Sequence, residues 1–213
     1  VLGLLALVAI TDRRPYAAIV WLVAAQILDG LDGPLARAYG LDRQPSRIDG
    51  NTLDLVVDYF TCVAAPALLL HQFLGFGGAQ SLLLAAAVLV SGGLWFGRLD
   101  MCAEDHTFRG FPAAWNLVVP TLLLLGLPSL VNACIIAALS VLSFSNVVFV
   151  HPMRVVRGRA VSITVTVTWL FSLLALSLDE GRATLELHVL LAASALGFVA
   201  ITTWHTRQRL EVG

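Results

Sequence analysis

Asp29, Asp32, Asp54 and Asp58 stand at the facing ends of two apolar stretches, and they are the residues of this chain best placed to do chemistry. A carboxylate inside a membrane span costs roughly 2.5–3.5 kcal/mol, so four need a shared use. Helical spacing supplies one. Asp29, Asp32, Gly33 and Ala36 fall on one face of a helix, and Gly50, Asp54 and Asp58 fall on one face of the next. Joined by a single loop, the two helices are antiparallel neighbours, so their acidic faces can meet. Converging carboxylates repel unless cations lie between them. Oxygen ligands without His or Cys select Mg²⁺, Mn²⁺ or Ca²⁺. Gly33, Ala36 and Gly50 leave room for a bulky ligand near the backbone. A carboxylate-bound divalent pair suits phosphoryl chemistry. The competing reading makes these acids ordinary helix ends in the headgroup zone.

The elements that hold these faces are membrane helices. The chain has 213 residues, of which 58% are hydrophobic and 13% charged, at a net charge of −1. Soluble domains carry roughly twice that charged share. This composition argues against disorder, and the absence of a basic stripe argues against nucleic acid as a partner. All 13 basic residues are Arg, which excludes lysine Schiff bases and P-loop chemistry. Cys62, Cys102 and Cys134 are too scattered for a zinc site or a disulfide framework.

A span needs about 20 apolar residues. With that ruler the sequence predicts a stub at Val1–Ile10 that begins already inside a helix. Seven spans follow at Tyr16–Arg37, Gly50–Phe73, Gln80–Arg98, Phe111–Leu127, Leu130–Val150, Ala160–Leu178 and Thr184–Trp204. The expected fold is therefore an all-α bundle of about eight transmembrane helices over 1–213, with the first one short. Alternating spans put ten Arg on the side of the Asp faces and leave only Arg13, Arg14 and Arg182 on the other. Basic loops stay inside, so the acidic site is expected to face the cytoplasm.

The acidic stretch reads Asp29-Gly-Leu-Asp32-Gly33-Pro-Leu-Ala36-Arg37, then twelve residues, then Gly50-Asn-Thr-Leu-Asp54-Leu-Val-Val-Asp58. It closely resembles the CDP-alcohol phosphotransferase signature, D-x-x-D-G-x-x-A-R followed by G-x-x-x-D-x-x-x-D, at every fixed position. The resemblance implies an integral-membrane enzyme that moves a phosphatidyl group from CDP-diacylglycerol to an alcohol and releases CMP. It implies that Asp29, Asp32, Asp54 and Asp58 hold two divalent ions, Mn²⁺ or Mg²⁺, and that Asp58 is also the general base. Asp32, Gly33, Ala36, Arg37, Gly50 and Asp54 would contact the CDP moiety. The superfamily also commonly forms homodimers through its membrane helices.

The twelve-residue spacer, Ala38–Asp49, is longer than usual in the superfamily and resembles the bacterial phosphatidylcholine synthase branch, whose acceptor is free choline. Gly110-Phe111-Pro112-Ala113-Ala114-Trp115-Asn116 and His151-Pro152-Met153-Arg154-Val155 resemble that branch too. The branch implies a bacterial inner-membrane location. Choline is a quaternary ammonium, recognised by aromatic faces and a nearby anion. Trp95, Phe96, Asp100, Glu104, Phe111 and Trp115 form the candidate cage, although an aromatic belt at the membrane edge has the same composition. Arg154 is the candidate for a CDP-diacylglycerol phosphate, since a guanidinium fork matches phosphate oxygens. Asn116 and Asn146 are expected to hydrogen-bond between helices. Ser91-Gly92-Gly93 reads as a packing patch and His71 as a lone histidine. Another acceptor (glycerol phosphate, serine or an inositol phosphate) and, more remotely, divalent cation transport are the alternatives.

Overall fold

The computed structural model describes residues 1–39, 47–102, 107–152, 155, 158–182 and 184–212, with backbone only at 32–37 and 209–212. Among them the helices are α1 (Leu2–Thr11), α2 (Pro15–Ala38), α3 (Gly50–Asp58), α4 (Ala65–Phe73), α5 (Gly78–Phe96), α6 (Trp115–Leu125), α7 (Ser129–Leu142), α8 (Arg159–Leu178) and α9 (Leu185–Val212). A π-helical segment, Tyr59–Ala64, joins α3 to α4, so the two form one span from Gly50 to Phe73. The expected eight helices are thus present, four of them long and apolar enough to cross a membrane.

The π segment has a local cause. Pro66 lies in the first turn of α4, where it donates no N–H and its ring crowds the carbonyl four residues back. Widening the preceding turn absorbs both defects.

Two expectations need correction. The span from Leu130 to Val150 ends as a helix at Leu142, because Ser145 turns the chain: its hydroxyl donates to the Leu142 carbonyl and accepts from the Val147 amide. Val148–Val150 then forms a strand, β2, antiparallel to β1 (Thr107–Arg109). Asn146 consequently sits exposed in a loop and bridges no helices. The span expected from Phe111 starts as a helix only at Trp115, because Gly110 and Ala113 adopt positive φ of 75° and 51° and hold Phe111–Ala114 in a turn. Pro112 is therefore not the helix start. At 11 and 14 residues, α6 and α7 are shorter than the spans expected there.

Packing centres on α4, which touches α1, α2, α5 and α6, while α8 lies between α2 and α9. Ile10, Ile19, Leu22, Leu69, Leu70, Trp115, Leu173 and Leu176 are fully buried there. Leu82, Leu83, Leu130, Phe171 and Leu196 stay exposed on the outside, as lipid-facing residues do. Small residues bring helices close. A Cβ on Gly92 would lie 2.7 Å from the Val63 methyls, so the packing patch expected at Ser91–Gly93 seats α5 on the π segment. His71 likewise ties α4 to α5, its Nδ1 lying 2.8 Å from the Ser81 hydroxyl.

The two ends of the bundle are built from different elements. Arg13 lies over Phe73, and Gly181 abuts Tyr16, at one end. The β1–β2 ribbon caps the other. Thr206 of α9 bonds both backbone groups of Val148, and Trp95 of α5 donates to the Arg109 carbonyl.

Candidate active site and metal centre

Asp49 starts the site. Its carboxylate accepts from the Asn51 amide and the Thr52 hydroxyl, capping α3 and fixing the phase of everything after it. The Thr52 hydroxyl, with help from the two backbone amides, holds the Asp49 carboxyl below its ordinary range despite some opposing desolvation. One turn on comes Asp54, exposed, and one turn further Asp58, half-buried. Asp29 faces them from α2. One carboxylate oxygen from each of Asp29, Asp54 and Asp58 lies within 4.8 Å of the others. Oxygens bound across one hard divalent ion at about 2.0–2.6 Å stand about 4–5 Å apart at most, so this donor set fits such an ion. A Cβ on Gly50 would meet nothing within 4 Å, which leaves open space beside the start of α3.

Asp32, Gly33, Ala36 and Arg37 continue α2 in register with Asp29, but their side chains lie outside the described residues, as do Glu104 and Arg154 altogether. The helical backbone through Ala38 keeps Asp32, Gly33 and Ala36 on the face that carries Asp29.

Sequence reasoning missed Gln26. Its Nε2 donates to the Asp29 carboxylate at 3.4 Å, while its Oε1 accepts from Asn116 Nδ2 of α6 at 2.6 Å. The signal was available: a lone amide one turn before the first aspartate, within an otherwise apolar run. Asn116 bridges helices as expected.

The structure divides the five acceptor candidates that lie within the described residues. Trp95 is 3% exposed and packs edge-on against Phe96 and Phe108, with its indole N–H bonded to Arg109. Phe111 and Trp115 are buried edge-on against each other, and Phe111 also touches Phe149. Phe96 is half-buried and meets the ring of Tyr59, the residue after Asp58. Asp100 is bonded by Arg98 at 2.9 and 3.0 Å and approached by Arg109 at 3.7 Å. The Arg98 hydrogen bond, more than its charge or that of Arg109, holds the Asp100 carboxyl below its usual range. Arg98 also donates to the Ser143 carbonyl, which ties this corner to the end of α7.

The fold is an all-α membrane bundle with an acidic cluster between two of its helices, and the chain belongs to the CDP-alcohol phosphatidyltransferase family, whose model matches residues 1–146. Its relatives are narrower. A Pseudomonas aeruginosa protein named phosphatidylcholine synthase is 38% identical over 210 residues, covering 97% of this chain and 87% of its own. Proteins of the same name from Mesorhizobium japonicum and Rhizobium meliloti are 34% and 37% identical, over 94% and 79% of this chain and 75% and 70% of theirs.

Proposed function

We propose that this protein transfers the phosphatidyl group of CDP-diacylglycerol to choline, giving phosphatidylcholine and CMP. The observation that carries the reading is the meeting of Asp29, Asp54 and Asp58 from two helices within the segment that matches the family model. Relatives named phosphatidylcholine synthase across nearly the whole chain support choline as the acceptor.

In the reaction, the choline hydroxyl oxygen bonds to the phosphorus that carries diacylglycerol, and the bond from that phosphorus to the CMP oxygen breaks. Asp58 accepts the hydroxyl proton, which then passes to water. CMP leaves with the bonding pair. Asp29, Asp32, Asp54 and Asp58 would hold two divalent ions, Mn²⁺ or Mg²⁺. When bound, such ions neutralise pyrophosphate oxygens and the charge developing on CMP. In this reading Gly33, Ala36 and Gly50 would admit the CDP group, Arg37 would pair with it or with the motif acids, and Arg154 would bind a phosphate.

Of the acceptor candidates Trp95, Phe96, Asp100, Glu104, Phe111 and Trp115, Phe96 is the one this reading sets beside choline. Phe96 is the aromatic of that set with the most accessible ring among the described residues. The whole of 1–213 acts as one domain in the bacterial inner membrane, with the site toward the cytoplasm and a homodimer as the assembly.

Purified protein in mixed micelles with CDP-diacylglycerol tests the enzyme reading. Choline should trigger CMP release that EDTA abolishes and added Mn²⁺ restores. No CMP release in the micelles, beside divalent cation flux when the same protein is sealed into vesicles, would contradict it.

A further inference from the structure

Asn116 is 1% exposed, yet it spends its amide on one described bond, to Gln26. Its own Oδ1 is buried with no hydrogen-bond partner among the described residues. Burying an amide so incompletely satisfied costs about 1–3 kcal/mol, which a residue kept only for packing would avoid. The direction of the chain explains the arrangement. An ionised carboxylate only accepts, so Gln26 must turn its NH₂ toward Asp29 and its oxygen toward α6. That oxygen in turn needs a donor, and the Asn116 NH₂ provides it. Both amide orientations follow from the chemistry of Asp29 without freedom to flip.

We infer that Asn116 and Gln26 form a positioning relay through which α6 sets the orientation of Asp29 in the divalent-ion site. The inference rests on the metal reading of the carboxylate cluster, but not on which alcohol is the acceptor. Gln26 is one turn from Asp29 on the same face of α2, and Asn116 anchors it from a separate helix. The relay therefore couples the rotation of the Asp29 carboxylate to the packing of α2 on α6. Neither amide touches the reacting atoms.

The test titrates Mn²⁺ into the purified full chain without substrate, reading free Mn²⁺ by EPR, for wild type, Gln26→Leu, Gln26→Met, Asn116→Leu and Gln26→Leu/Asn116→Leu. Loss of an outer-shell partner typically weakens metal binding about 10–100-fold, so each single variant should raise the Mn²⁺ Kd by about tenfold. The double variant should be no weaker than Gln26→Leu, because Asn116 acts through Gln26. At saturating Mn²⁺ the KM for choline should match wild type. Asn132→Leu removes another buried amide, bonded to the Leu127 carbonyl at the far end of the bundle. It should lower Tm and leave Mn²⁺ affinity unchanged.

Gln26→Met keeps the side-chain length and removes the N–H donor without adding charge, so it reads the relay even if the leucine variants fold poorly. Mn²⁺ affinity within twofold of wild type in Gln26→Met and Asn116→Leu, or additive losses in the double variant, would overturn the relay. Wild type that binds no Mn²⁺ would overturn it together with the metal site. Wild type that binds Mn²⁺ but releases no CMP with choline would contradict only the acceptor assignment.

Discussion

A carboxylate oxygen of Asp29 on α2 lies within 4.8 Å of one on Asp58, at the end of α3. The two are brought together by a helical turn-back and not by neighbouring sequence. Asp58 is half-buried at the edge of the π segment, where the wider turn separates it from the buried face carried by Thr61 and Val63. The pair joins the residue proposed to take the proton to one proposed to hold metal.

Asp58→Asn keeps the shape and removes the base. General-base catalysis contributes about 10²–10⁴-fold, and Asp58 is also a proposed ligand, so CMP release should fall at least about a thousandfold. Asp29→Asn should instead raise the Mn²⁺ concentration for half-maximal rate, with partial recovery at high Mn²⁺. Quenched CMP-release assays across an Mn²⁺ series distinguish the two. Equal and fully recoverable losses would refute separate roles.

The acceptor candidates separate by burial. Trp95→Phe loses the bond to the Arg109 carbonyl, a stabilisation of about 1 kcal/mol, and should lower Tm while leaving choline KM unchanged. Phe96→Leu should raise choline KM several-fold with little change in Tm, since a cation over an aromatic face is stabilised by about 0.5–2 kcal/mol. Choline saturation curves beside thermal melts read both, and the reverse pattern would place the cage around Trp95.

Asp100 carries a pH prediction. Its folded pKa is depressed by Arg98, so its stabilisation is present above the unfolded value and is lost as pH falls through the folded one. The Tm gap between wild type and Asp100→Asn should therefore exist at neutral pH and close below about pH 4. Because the pair is exposed, about 1 M salt should narrow that gap. A gap that widens in acid would show that the carboxylate is not held by Arg98. An altered choline KM in the same variant would keep Asp100 in the acceptor site.

Gly92→Ala tests the seat of the π segment. The new Cβ would sit 2.7 Å from the Val63 methyls, and overpacking of this kind costs about 1–3 kcal/mol. Melts should show the loss. Activity should fall further than the folded fraction does, because Tyr59 and Asp58 move with that segment.

Much of this was legible in residue spacing. The i, i+4 step from Asp54 to Asp58 and the Asp29 face needed only helical geometry, and alternating spans put the segments after α5 and α7 at one end, where β1 pairs with β2. The β1–β2 ribbon was not legible, because Val147–Val150 is as apolar as a span and periodicity cannot separate a short strand from a helix end. The start of α6 was hidden by Pro112, a fair helix-opening signal overridden by the backbone of Gly110 and Ala113. The Trp95 and Trp115 rings looked like a belt or a cage. Their burial depends on tertiary contacts with Phe108, Phe111 and Arg109 that no local pattern encodes.

An acceptor panel separates choline from the other alcohols. Wild type and Asp58→Asn, each with CDP-diacylglycerol and Mn²⁺, are offered choline, serine, glycerol 3-phosphate and inositol phosphate, and CMP and lipid product are measured together. Wild type should release CMP with choline far above the others and form phosphatidylcholine in equal amount, while Asp58→Asn should be nearly silent with all four. CMP release with glycerol 3-phosphate and none with choline would contradict the acceptor, and undiminished activity in Asp58→Asn would contradict the site.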